Sequence, residues 1–196
     1  LHGIGRVFAF DFVTAADWQM HQTRRGEERR PNQFDSFNRP LHSPVEGRVV
    51  ASEDAMPDLV CTPGAGSTYG KGLPDGLPKA ALFGNHILIE TDIGDFLALA
   101  HLKQGSVLVR PGMQLSAGQL VGRVGNSGNT SAAHLHIEML DGLPEFEKFQ
   151  TSEFRQSGIP FGFRSVVVRG SNGGRSGDLV PEKGDIVAAR RSPVDG

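Results

Sequence analysis

Glycine and proline punctuate this sequence so often that long helices have little room: 26 glycines and 12 prolines make up nearly a fifth of its 196 residues. Turns must be frequent and the segments between them short, which favours strands. Val7-Phe8-Ala9-Phe10-Asp11-Phe12-Val13 alternates large with small or polar residues. On a strand, the three phenylalanines fall on one face and Ala9 and Asp11 on the other. Residues 45–51 resume strand character after Pro44. Residues 86–91 and 96–102 flank the turn Thr91-Asp92-Ile93-Gly94-Asp95, the pattern of an antiparallel hairpin. Residues 107–125 read as short strands between tight turns, and 134–139 as a further strand.

The fold class implied is all-β. Residues 1–141 are expected to form one β domain. Residues 142–196 are expected to form a C-terminal extension packed on it, with one more strand near 159–169 and a flexible segment near 170–177. Two stretches break the strand pattern. Residues 14–40 carry the charged run Arg24-Arg25-Gly26-Glu27-Glu28-Arg29-Arg30 and read as a solvated insertion with room for one helical turn. Residues 62–79 form a long loop rich in glycine and proline. Both are expected to flank a cleft and govern what enters it.

The chemistry is bounded by what the sequence lacks. The net charge of −2 offers no bulk attraction for nucleic acid or an anionic membrane, so no nucleic-acid partner is expected. No apolar run approaches the ~18 residues of a membrane span. Cys61 is the single cysteine, which excludes an internal disulfide and a cysteine-based zinc site. The chain starts Leu1-His2-Gly3 with neither an initiator methionine nor an apolar leader. A processed or trimmed product is expected, its targeting signal removed. Oligomeric state is not legible.

Seven histidines are present, and a lone histidine is more often a surface or core residue than a ligand. His134 and His136 differ because they stand two apart on a strand. Both imidazoles then share one face while Leu135 points into the core. Such a pair suits a metal or a proton-transfer site. His101 ends the strand-like Leu97-Ala98-Leu99-Ala100-His101, and Asp11 is the carboxylate on a strand whose other face is aromatic. Zinc takes histidine nitrogen and carboxylate oxygen and, in catalytic sites, leaves one position open.

The segments that carry these residues are similar to those of the lysostaphin/LytM-type zinc endopeptidases, which hydrolyse peptidoglycan. That family shows an early histidine, an aspartate, a histidine followed by leucine, and a final His-x-His on a strand. Here those positions are His2, Asp11 within Ala9-Phe10-Asp11-Phe12, Ala100-His101-Leu102, and His134-Leu135-His136-Ile137-Glu138. Flanking stretches resemble the family too: Ser43-Pro44-Val45-Glu46-Gly47-Arg48-Val49, Phe83-Gly84-Asn85-His86-Ile87, and Val121-Gly122-Arg123-Val124-Gly125-Asn126-Ser127-Gly128. The resemblance runs over about residues 2–140. Eight residues separate His2 from Asp11, where many members have three, and Ala100 stands where tyrosine is frequent.

The resemblance implies a LytM-like, duplicated-hybrid-motif antiparallel sheet holding one zinc ion per chain through His2, Asp11 and His136. His101 and His134 would be catalytic, activating water and steadying charge on the scissile carbonyl. The substrate would be peptide bonds in peptidoglycan stems or cross-bridges, or a related short peptide. The location would be extracytoplasmic: periplasmic, cell-envelope or secreted. A catalytically inactive binding or regulatory module of the same fold is the alternative, and a histidine phosphocarrier of related topology a further one. Asn85 and His86 are candidate substrate contacts, against a turn-shaping role for Asn85 and a surface or loop role for His86. His42 is the rival of His2 as first ligand, and His21 reads as solvated. Glu138 continues the His-x-His face and is placed to orient an imidazole.

Overall fold

The computed structural model describes residues 8–23, 26–61, 79–143, 158–170, 173–181 and 185–189. His2 and residues 62–78, most of the stretch expected to form a long loop, lie outside these. The chain divides into two compact units, Leu1–Ile159 and Pro160–Gly196.

The first unit contains β1 (Ala9–Phe12), α1 (Ala15–Thr23), β2 (Pro40–His42), β3 (Gly47–Glu53), β4 (Asn85–Glu90), β5 (Phe96–Leu102), β6 (Gln114–Leu115), β7 (Leu120–Arg123) and β8 (Leu135–Leu140). Six of these strands form one sheet in the order β1-β8-β5-β4-β3-β6. All of its pairings are antiparallel. β2 and β7 make a separate two-stranded ribbon. The antiparallel β architecture expected from the turn-rich sequence is therefore the one observed. No helix among the described residues is long and apolar enough to cross a membrane.

β4 and β5 form the expected hairpin, in register at Glu90 and Phe96. Its turn closes through Thr91 N donating to Asp95 O at 2.9 Å and Gly94 N donating to Thr91 O at 3.0 Å. These central strands are buried on both faces. Ile87, Leu99 and Ile137 oppose one another across β4, β5 and β8, with Phe10 of β1 next in the row. Apart from the partly buried Phe10, that row belongs to an apolar layer that includes Val49, Ile89 and Leu97 and is almost wholly shielded from solvent. On the other face Phe83, Leu88, Ala98, Ala100 and Leu140 form an apolar cluster. The polar site is built next to it.

The insertion 14–40 holds more structure than its charge pattern suggests. α1 runs for nine residues, with Thr14 Oγ1 accepting from Asp17 N at 3.2 Å at its start. Asp17 is buried and accepts hydrogen bonds from Asp35 N (2.9 Å) and Ser36 N (2.6 Å). Those bonds tie the two ends of the insertion together. Phe34, Cys61, Ala132 and Ala133 bury one another, with Met20 and Phe37 packed alongside. The insertion thus buttresses the residues just before His134. Its Phe34 and Phe37 were the sequence signal; the charged run ahead of them obscured it.

In the second unit β9 (Phe163–Gly170), β10 (Gly173–Leu179) and β11 (Ile186–Ala189) form a three-stranded antiparallel sheet in the order β10-β9-β11. Of the stretch 170–177, expected to be flexible, Gly170 ends β9 and residues 173–177 belong to β10, while 171 and 172 lie outside the described residues. Gly173 sits opposite Gly170 and takes φ 99°, a conformation open to glycine.

Candidate metal centre

Asp11 on β1, His136 on β8 and Ala100 on β5 lie opposite one another across the sheet. Directly opposed residues share a face. Asp11 therefore meets His136, with Oδ1 2.8 Å from Nδ1. His134 stands just before β8, and its Nε2 lies 3.4 Å from the same carboxylate oxygen.

His101 reaches this face by a break in the strand. It follows Ala100, so regular alternation would turn its ring away from His136. Its backbone instead adopts φ 61°, left-handed and uncommon for any residue but glycine. The ring comes to lie 4.7 Å from that of His134 and 5.7 Å from that of His136, centroid to centroid. His101, His134 and His136 each present a ring nitrogen within 4.8 Å of the others.

Two loops hold these rings in place. Gly84 (φ 62°) and Gly128 (φ 80°) pack against each other so closely that a Cβ on either would strike the other loop's backbone. This contact sets Ser127 beside His101, whose Nδ1 lies 2.9 Å from Ser127 O. The backbone of His101 is fixed as well, its N–H donating to Phe83 O at 2.9 Å and its carbonyl accepting from Gly125 N at 3.1 Å. His134 Nδ1 lies 2.7 Å from Ala132 O and 3.2 Å from the Thr130 hydroxyl. A carbonyl only accepts, so both Nδ1 atoms carry the proton. In the neutral His101 ring, Nε2 is then left as an acceptor.

Electrostatics follow from this packing. Burial disfavours the Asp11 anion, yet hydrogen bonds from His134 and His136 outweigh it and hold the carboxyl far below the usual range. Burial likewise opposes charge on His136, and the hydrogen bonds to Asp11 and Glu138 overcome it, raising its pKa. His101 is wholly enclosed beside two other imidazoles, which pushes its pKa well below the ordinary value. It is neutral at pH 7.

The donor set fits a cation. A neutral imidazole carries one proton, but His136 faces Asp11 through Nδ1 and Glu138 through Nε2, the latter at 3.4 Å. Two carboxylates on one buried ring call for a positive charge there, from either a second ring proton or a metal ion. Histidine nitrogen with carboxylate oxygen is the ligand chemistry of zinc. The Asp11 side chain is 42% exposed and His136 4%, so the group opens to solvent on the Asp11 side.

The family follows from a direct comparison. The model of peptidase family M23 matches residues 35–145, more than half of the chain. The chain belongs to peptidase family M23. The matched stretch contains His101, His134, His136 and Glu138; Asp11 lies before it. Solved structures similar to this M23 chain include a mutant catalytic domain of the prophage-encoded M23 protein EnpA from Enterococcus faecalis. It is 18% identical, with 61% of this chain and 69% of that chain covered and a TM-score of 0.40. The catalytic domain of the antimicrobial peptidase lysostaphin from Staphylococcus simulans is 16% identical, covering 69% of this chain and 92% of that one at a TM-score of 0.38. A putative glycyl-glycine endopeptidase LytM from Ruminococcus gnavus is 15% identical over 81% of this chain and 53% of that one, at a TM-score of 0.39. No curated protein matches the sequence.

The remaining sequence-derived candidates fall differently. His42 is exposed on β2, which pairs with β7, and is not part of the histidine group. Asn85, a candidate substrate contact, is fully buried, and its side chain bonds to the backbone. Its Nδ2 donates to Met56 O (2.7 Å) and Leu102 O (3.1 Å), and its Oδ1 accepts from Met56 N (2.8 Å). His86 is buried rather than at a surface, with Nδ1 2.7 Å from Gly84 O. Phe83 neighbours both, its ring 6.0 Å from that of His86 and 6.2 Å from that of His136. Sequence reasoning missed Thr130 and the Ser127 carbonyl as supports of the two outer rings. The only signal for them was the glycine-flanked Asn126-Ser127-Gly128.

Proposed function

We propose that this M23 chain is a zinc-dependent endopeptidase that hydrolyses peptide bonds in the stems or cross-bridges of peptidoglycan. The observation that carries the reading is the convergence of Asp11 and three histidine rings, two of them anchored by carbonyls so that Nε2 faces inward. Asp11 and His136 would hold the zinc, with His2 as the third protein ligand. When bound, zinc supplies a Lewis acid that polarises a carbonyl and makes water a better nucleophile at neutral pH.

The chain's own residues then divide the remaining work. Neutral His101 offers an unprotonated Nε2, which suits it to take a proton from attacking water. His134 presents its Nε2 next to Asp11 at the open side of the group and can hand a proton to the departing amine. Glu138 and Asp11 hold the His136 ring between them. The hydrogen bonds to Ser127 O and Ala132 O keep the two catalytic rings from rotating, so little reorganisation is needed during reaction. Such a substrate lies outside the cytoplasm, and the enzyme is accordingly assigned to the cell envelope or the secreted fraction.

Digestion of purified peptidoglycan, with mass spectrometry of the products, tests the activity. New amino termini that disappear on chelation and return with zinc are expected. Stoichiometric zinc without cleavage of any wall preparation would favour a binding module instead. The choice of His2 over His42 is decided by bound zinc in His2→Ala and His42→Ala, with loss expected in the first only.

A further inference from the structure

Glu138 is buried in the middle of the sheet, an unusual place for a carboxylate. Its neighbours make the room. Ala9 on β1 and Ala98 on β5 stand directly opposite it on either side, each with only a methyl group. Behind it Gly158 lacks the Cβ that would otherwise lie 3.4 Å from Glu138 Oε1. The sequence thus provides small residues on three sides of one acidic side chain. Its other oxygen, Oε2, lies 3.4 Å from His136 Nε2, while Nδ1 of the same ring faces Asp11.

We propose that Glu138 is the positioning residue of the metal centre. It holds the proton of His136 on Nε2, so that the Nδ1 lone pair is presented beside Asp11 to zinc. This rests on the zinc-peptidase reading given above. A carboxylate bonded to the far nitrogen of a ligand imidazole fixes its tautomer and ring orientation and raises its basicity. Removing such a partner typically lowers metal affinity about 10–100-fold. Without an acceptor at Nε2, the ring is free to carry its proton on Nδ1, the atom needed for the metal. Glu138 does not touch substrate. Its effect passes through His136.

The test is zinc affinity, by competition with a chromophoric chelator, for the full chain and for Glu138→Gln and Glu138→Leu. Nitrogen-15 NMR of the His136 ring in the zinc-loaded protein is run alongside. Glutamine keeps the acceptor oxygen and the volume; leucine keeps only the volume. The expected order of affinity is wild type, then glutamine, then leucine, with the leucine variant about 10–100-fold weaker. The wild-type ring should carry its proton on Nε2. Equal affinity in all three proteins, or a proton on Nδ1 of zinc-loaded wild type, overturns the proposal. Should the leucine variant fail to fold, the NMR of wild type and the affinity of the glutamine variant decide. Failure of wild type to bind zinc would instead sink the peptidase reading itself, so the two failures are distinct.

Discussion

His136 Nδ1 and Asp11 Oδ1 stand 2.8 Å apart although 125 positions separate the two residues in the chain. β1 lies at the edge of the sheet beside β8, and the register that pairs Asp11 with His136 is what makes the contact. A slip of one residue would turn Asp11 to the opposite face and leave His136 without this carboxylate. The site therefore depends on the pairing of an edge strand as much as on the side chains themselves.

His101→Ala and His134→Ala should each retain zinc yet lose about 10²–10⁴-fold in kcat, the range of a missing acid–base group. Metal analysis and peptide-hydrolysis rates on the same samples check this. A variant that loses its zinc would show that its ring ligates.

The left-handed backbone at His101 predicts an inversion of the usual glycine penalty. His101→Gly should be more stable than His101→Ala by about 1 kcal/mol, because only glycine adopts φ 61° without a Cβ clash. Denaturant unfolding of the two variants measures it. Alanine equal to or above glycine would show that the position is unstrained.

Asn85→Ala should cost about 2–4 kcal/mol, because it strips partners from the buried backbone groups of Met56 and Leu102. Zinc bound per folded chain should not change. An undiminished melting temperature with altered substrate preference would restore Asn85 to the substrate side.

These cases show what the sequence could and could not tell. The His-x-His pair was legible because period two on a strand is a local rule, and Asp11 because its strand is aromatic on the other side. His101 was singled out as well, but its inward turn runs against strand alternation and comes from a backbone break enforced by Phe83 and Gly125. The role of Asn85 was hidden because its partners lie 29 and 17 residues away. The insertion looked solvated because Asp17, one acid among many charges, acts only through Asp35 and Ser36. Local pattern carries element type; long-range hydrogen bonds decide what polar residues do.

His86 gives the fold a pH dependence separate from the metal. Burial lowers its pKa below the unfolded value of 6.5, against the bond to Gly84 O and the nearby Glu53, its partner across β3 and β4. The unfolded chain then binds more protons than the folded one between the two pKa values. Stability rises with pH through that window and is lost as pH falls below about 6.5. Each unit of depression is worth about 1.4 kcal/mol. Denaturant unfolding at pH 7.5 and 5.5 should show a smaller acid loss in His86→Asn than in wild type. Equal losses would place the titrating group elsewhere.

Whether Asp11 and His136 hold a zinc ion is read from the zinc content of purified His136→Ala beside wild type. About one zinc per wild-type chain is expected, with a severalfold loss in the variant while the sheet stays folded, because binding depends on every ligand of so small a set. Wild-type zinc content in folded His136→Ala would contradict that assignment.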